Sequence, residues 1–248
     1  MNRRTKHVTA ALTATAALLL TACGSGDDDK GSKGDSAGKA AASSAAPAEK
    51  KPTKSASQLS LTRNEVPAHA VVKPADGFVF AKSRDNIKVS KPACTPLAYA
   101  MNQFPAGDPR DSFVRVAEAK EFDGTFTYIT LATYAPGKAK DAMAGMTKAV
   151  SACAGGFTAK GDKASSPYES VASETTGTAP TPGADESLAF RTTSKYKGNT
   201  HTVRTQVSRH GAAIAIYFAV DGNAYLQSRA GDAKIFPAVV KSQEKKLS

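Results

Sequence analysis

Tryptophan is absent from this 248-residue chain, histidine occurs four times and cysteine three times. Three cysteines are too few for a disulfide-framework miniprotein. The familiar catalytic signatures are missing as well: no G-x-S-x-G, H-E-x-x-H, C-x-x-C or G-x-G-x-x-G occurs, which removes the readily recognised hydrolase, zincin, redox and dinucleotide-binding classes. No apolar run approaches the roughly 20 residues that a spanning helix needs. Acidic residues are the scarcer charge, 22 against 33 basic, for a net charge of +11.

What is present starts with an export address. Arg3, Arg4 and Lys6 form a positive n-region, and Val8 to Leu20 is uncharged and suits a secretory h-region. It ends in Leu20-Thr21-Ala22-Cys23, which resembles the lipobox of bacterial lipoproteins. The resemblance implies cleavage after residue 22 and acylation of Cys23, leaving the mature protein anchored in the membrane by lipid on its outer, extracytoplasmic face. Each buried acyl methylene contributes about 0.8 kcal/mol, so two chains suffice for anchoring without a transmembrane helix. Removal of the signal takes three cations with it and leaves a net charge of +8, which no longer argues for nucleic acid.

Residues 24–58 contain no aromatic and no aliphatic larger than Ala. Such a segment cannot offset its ordering entropy and is expected to be a disordered tether. Its six Lys and five acidic residues nearly cancel, so it is not a polybasic lipid-binding stretch. Three regions result: a signal at 1–22, acylated Cys23 with tether at 23–58, and one domain at 59–248.

Within the domain, Thr95-Pro96 opens a helix running to Phe104. Phe113 to Glu121 and Thr125 to Tyr134 read as strands joined at Asp123-Gly124. Apolar residues from Ala139 to Cys153 recur at helical spacing, with Gly155-Gly156 as the stop. Ala159 to Glu186 reads as a surface excursion with a short strand near Tyr168 to Ser173. Strands at Leu188–Tyr196, Thr202–Ser208 and Ala213–Val220 follow, and a helix from Phe236 to Leu247 closes the chain. The expected fold is α+β, an antiparallel sheet with helices on one face.

Cys94 and Cys153 remain after Cys23 is assigned. In an oxidising exterior they are expected to pair, and two separate buried thiols are the alternative. A metal site would need more ligands than these. The Cys before a short helix, the Val114–Tyr134 hairpin, the helix ending in a second Cys and the Ala213–Val220 strand together resemble the PknH-type extracellular sensor domains and related actinobacterial surface lipoproteins, over about Leu59 to Leu247. That resemblance implies a non-enzymatic ligand-binding module with a cleft.

One charge feature stands out. No acidic residue lies between Glu186 and Asp221, whereas Arg191, Lys195, Lys197, Arg204 and Arg209 do. Strand alternation puts Leu188, Phe190, Val203, Val207, Ile214 and Ile216 on the core side. It puts Arg191, Lys195, Arg204 and Tyr217 on the other, beside small Ala213, Ala215 and Ala219. If open, that face suits an anionic small molecule or wall polymer; the plain alternative is ordinary surface charge. The expectation is a cell-surface binding or sensory module with no cofactor, metal or catalytic residue. An envelope structural or protein-interaction factor, a lipid carrier and a hydrolase without a recognisable motif are the competing readings.

Overall fold

In the computed structural model, the described residues are 53–248 apart from 76–79, 122, 175–178 and 180. The expected signal at 1–22, the expected acylation at Cys23 and the part of the expected tether up to residue 52 lie outside them.

The fold starts earlier than the composition change at Leu59. Ser55 opens helix α1, Ala56–Leu59, through a capping box in which its hydroxyl accepts from the Gln58 amide and Gln58 accepts from the Ser55 amide. Ala56 is fully buried, and its amide donates to Asp111 Oδ2 at 2.7 Å. The last residues assigned to the tether are therefore part of the domain.

Strands β1 (His69–Val72), β2 (Lys88–Val89), β3 (Asp111–Ala119), β4 (Thr125–Thr133), β5 (Phe157–Lys160), β6 (Ser165–Ser173), β7 (Glu186–Tyr196), β8 (Asn199–His210), β9 (Ala213–Asp221) and β10 (Gly231–Asp232) form one sheet. Its order is β1-β3-β4-β9-β8-β7-β6-β5-β2, antiparallel throughout that path. β10 pairs parallel with the start of β8, at His201 and Thr202. The hairpin and the strand meander read from the sequence are both present. The stretch from Ala159 to Glu186 is less of an excursion than expected, because β5 and β6 add two strands beyond β7.

The turns show why. Lys197 and Gly198 both have positive φ, the geometry that a two-residue hairpin needs to match strand twist. At Asp123-Gly124, Asp123 accepts from the Thr125 amide, and Gly124 has φ +89° with Asn223 packed where a Cβ would stand.

Helix α2 spans Thr95–Ala100. It stops short of Phe104 because Asn102 turns back to donate to the Ala98 carbonyl and Gln103 adopts a left-handed φ of 64°. Helix α3, Lys138–Ala152, buries Ala139, Met143, Met146 and Val150. Cys94 and Cys153 form a disulfide with a Cα separation of 5.9 Å, tying the turn before α2 to the end of α3. Short helix α4 is Gly222–Leu226, and α5 is Pro237–Leu247.

The antiparallel α+β class is as expected, but the helices are not confined to one face. Helices α2 and α3 cover Phe190, Val207, Ile214 and Ile216. On the other side, α1 and α5 cover Ile129, Leu131, Ala215, Tyr217 and Ala219. Alternation along β9 sends Ile214 and Ile216 to the first layer and Ala215, Tyr217 and Ala219 to the second. The small residues give α5 room to approach.

Candidate functional site

The alternation that sorts Arg191, Lys195, Arg204 and Tyr217 onto one face is correct, but these residues do not make one open site. Arg191 and Lys195 on β7 are exposed. Arg204 on β8 lies beneath the segment that follows α4, with its side chain only 13% exposed. It lies 3.2 Å from Glu174, off hydrogen-bond alignment, pairs with Asp232, and donates to the Ala233 carbonyl. Its charge is already met within the chain. Tyr217 is fully buried under α5, where its hydroxyl donates to Glu244 Oε1. Burial and the Glu244 carboxylate push the Tyr217 phenol well above its ordinary value. Tyr217 is therefore part of the core and offers no platform to a ligand.

Around Glu244 the second layer holds a polar cluster. Ser208 and Tyr217 both donate to Glu244 Oε1 at 2.6 Å, and His210 Nε2 lies 2.7 Å from Oε2. Ser208 and Glu244 are both completely buried. A hydroxyl so enclosed cannot reach a substrate carbonyl, so the grouping is a structural tie and lacks the geometry of nucleophilic catalysis.

Asp111 accepts from the Ala56 amide in the first turn of α1, and among the described residues no cluster of three or more metal-ligating side chains occurs.

The opposite face of the sheet presents a cleft that sequence reasoning missed. It lies where α2 and α3 leave the strands uncovered, and its volume is about 340 Å³. Tyr128 on β4, Phe218 on β9, Tyr168 on β6, Tyr225 on α4 and Phe80 line its walls. Asn102, Gln103, Lys163, Ser166 and Ser194 add polar groups. The side chains come from five adjacent strands, three connections and α4, so no local motif announces them. The alternation on β4 and β9 could have placed Tyr128 and Phe218 together, and they do stack, with centroids 6.3 Å apart.

The phenols in this cleft are neutral donors. Burial raises Tyr128 to about 12. Burial likewise raises Tyr168 to about 12, against hydrogen bonds with Ser166 and Asn102. Burial also raises Tyr225, which is hydrogen-bonded to Ser194. Behind Tyr225 sits His201, 1% exposed, stacked on the phenol ring at a centroid distance of 3.9 Å. Neither ring nitrogen of His201 has a hydrogen-bond partner among the described residues. Burial lowers its pKa, the Asp221 charge opposes that shift and Arg229 adds to it. No Asp, Glu, His or Cys is among the described residues lining the cleft. The arrangement can stack on a ring and exchange hydrogen bonds with it.

A second, larger groove of about 670 Å³ runs along the outside of α5, between that helix and Leu61, Glu65 and Pro67. It carries lysines and few aromatic or convergent polar groups, so it resembles a surface trough more than a ligand pocket.

No family model matches this sequence, and no curated protein matches it. Among solved structures, the fold is similar to the extracellular domain of PknH from Mycobacterium tuberculosis. The two are 12% identical with a TM-score of 0.43, over 77% of this chain and 93% of that one.

Proposed function

We propose that this chain is a cell-surface lipoprotein, anchored through Cys23, whose domain is a non-enzymatic binding or sensory module outside the cytoplasm. The Cys94–Cys153 disulfide supports an oxidising compartment, in keeping with the export signal. The observation that carries the binding role is the aromatic cleft between α2, α4 and the sheet. Ring faces with hydroxyl and amide donors, and the Lys163 ammonium, suit a hydroxyl-bearing ring, such as a sugar of a wall polymer or a small aromatic molecule. The earlier expectation of an anionic ligand on the Arg191–Arg204 face loses support, because Glu174 and Asp232 occupy Arg204.

Native mass spectrometry of the mature chain secreted with Cys23→Ser tests the binding role. The expected result is a discrete adduct that disappears in Tyr225→Ala and in Phe218→Ala. An adduct unaffected by both substitutions places the ligand elsewhere. A bare apo mass, with no thermal shift on adding wall-derived sugars, overturns the ligand-binding reading and favours a protein-interaction factor. The anchor is tested separately by the mass of the membrane-extracted protein, which is expected to carry a diacylglyceryl Cys23 at its N-terminus. An unmodified mass sinks it.

A further inference from the structure

We propose that the outer face of α5 is a contact surface for an anionic lipid bilayer. The geometry rests on the anchored reading above, whereas the contact is a property of the domain's own side chains.

The helix divides its residues cleanly. Val239, Val240, Gln243 and Glu244 are buried against the sheet, and Lys241 and Lys245 are exposed. One turn apart, these two lysines stand above one another along the groove, whose accessible apolar lining is Pro67 and Ala238, over buried Leu61. The groove's single carboxylate, Glu65, is taken by Lys246 at 2.9 Å, and Lys246 also donates to the Ser60 carbonyl. Neither Lys241 nor Lys245 has a carboxylate partner among the described residues. A trough with apolar lining and unpaired ammonium groups fits a headgroup layer, in which cations meet phosphates and the apolar residues meet the glycerol and acyl boundary.

Chain entry points the same way. Thr53 and Lys54 line a small groove together with Lys246, Leu247 and Ser248. The chain leading back to Cys23 therefore joins the fold beside the last turn of α5. Cys23 and Thr53 are 30 positions apart, a reach of about 100 Å when fully extended. Anchoring holds the domain at high effective concentration near the bilayer, so a weak patch suffices to orient it. That orientation leaves the aromatic cleft, on the opposite face of the sheet, turned away from the membrane.

The test is co-sedimentation of the mature chain carrying Cys23→Ser with phosphatidylglycerol vesicles and, separately, phosphatidylcholine vesicles. Each lysine near an anionic surface adds roughly a fivefold gain in binding, so Lys241→Glu with Lys245→Glu is expected to lower partition onto the anionic vesicles by roughly 25-fold or more. Partition onto the anionic vesicles is also expected to fall with added salt. The same charge change at the far edge of the sheet, Lys88→Glu with Lys160→Glu, is expected to leave binding unchanged. Absence of binding to the anionic vesicles overturns the proposal, as does equal loss from both pairs of substitutions. Tighter binding to soluble polyglycerol phosphate than to vesicles also overturns it, assigning the face to a wall polymer. Vesicle binding that persists while Cys23 proves unacylated removes the anchor and leaves this surface standing.

Discussion

The Tyr217 hydroxyl donates to Glu244 Oε1 at 2.6 Å, joining the middle of β9 to the last helix inside the layer that α1 and α5 cover. Ser208 and His210 converge on the same carboxylate. Glu244→Ala strands two hydroxyls and an imidazole, at a cost of about 3 kcal/mol or more. Tyr217→Phe removes one donor and costs about 2 kcal/mol. Urea denaturation midpoints check both, and an unchanged slope would show that stability alone has moved.

Arg204 and Arg191 share a face of the sheet but differ in surroundings, and their substitutions separate accordingly. Arg204→Ala leaves Glu174, whose side chain is 6% exposed, without its guanidinium neighbour. Breaking such a pair costs roughly 3–5 kcal/mol, toward the lower end here because Asp232 faces solvent. Arg191→Ala, at an exposed position, should change stability by less than about 0.5 kcal/mol. Equal losses on thermal unfolding would show that the ion pair is not structural.

His201 makes stability depend on pH in a defined direction. Burial lowers its folded pKa below the ordinary 6.5, so the unfolded chain binds the proton more readily. Its contribution is complete above about pH 6.5 and is lost as pH falls from there through the lower folded value. His201→Phe keeps the stack on Tyr225 and removes two unpartnered nitrogens. It should flatten the difference in melting temperature between about pH 5 and about pH 7.5. A wild-type chain equally stable at both values contradicts this.

The disulfide closes a sequence separation of 59 residues. In the chain-entropy model a loop of that length contributes roughly 4 kcal/mol. Cys94→Ala with Cys153→Ala should lose about that much, and reductant should lower the melting temperature of the wild type only. No response to reductant would mean that the pair is not bridged.

Helix α1 places the boundary of the domain before Leu59. A chain beginning at Thr53 should melt higher than one beginning at Leu59, because the shorter one lacks buried Ala56 and the amide that satisfies Asp111. Equal melting temperatures would return residues 53–58 to the tether.

Local pattern determined a good deal of this protein. Helix α3, the β3–β4 hairpin and the β7–β8–β9 meander are written in periodicities of 3.6 and 2 with matching turn residues. Alternation also divided Ile214 and Ile216 from Ala215 and Tyr217 correctly. What alternation cannot carry is which element lies over each face. From the sequence alone, Ala215 and Ala219 read as room for a ligand and Arg204 as a free cation. Tertiary structure filled that room with α5 and set Glu174 and Asp232 against Arg204. The aromatic cleft was hidden for the same reason. Its walls come from segments between Phe80 and Tyr225, and only strand pairing across the sheet brings side chains so far apart in the chain to one place.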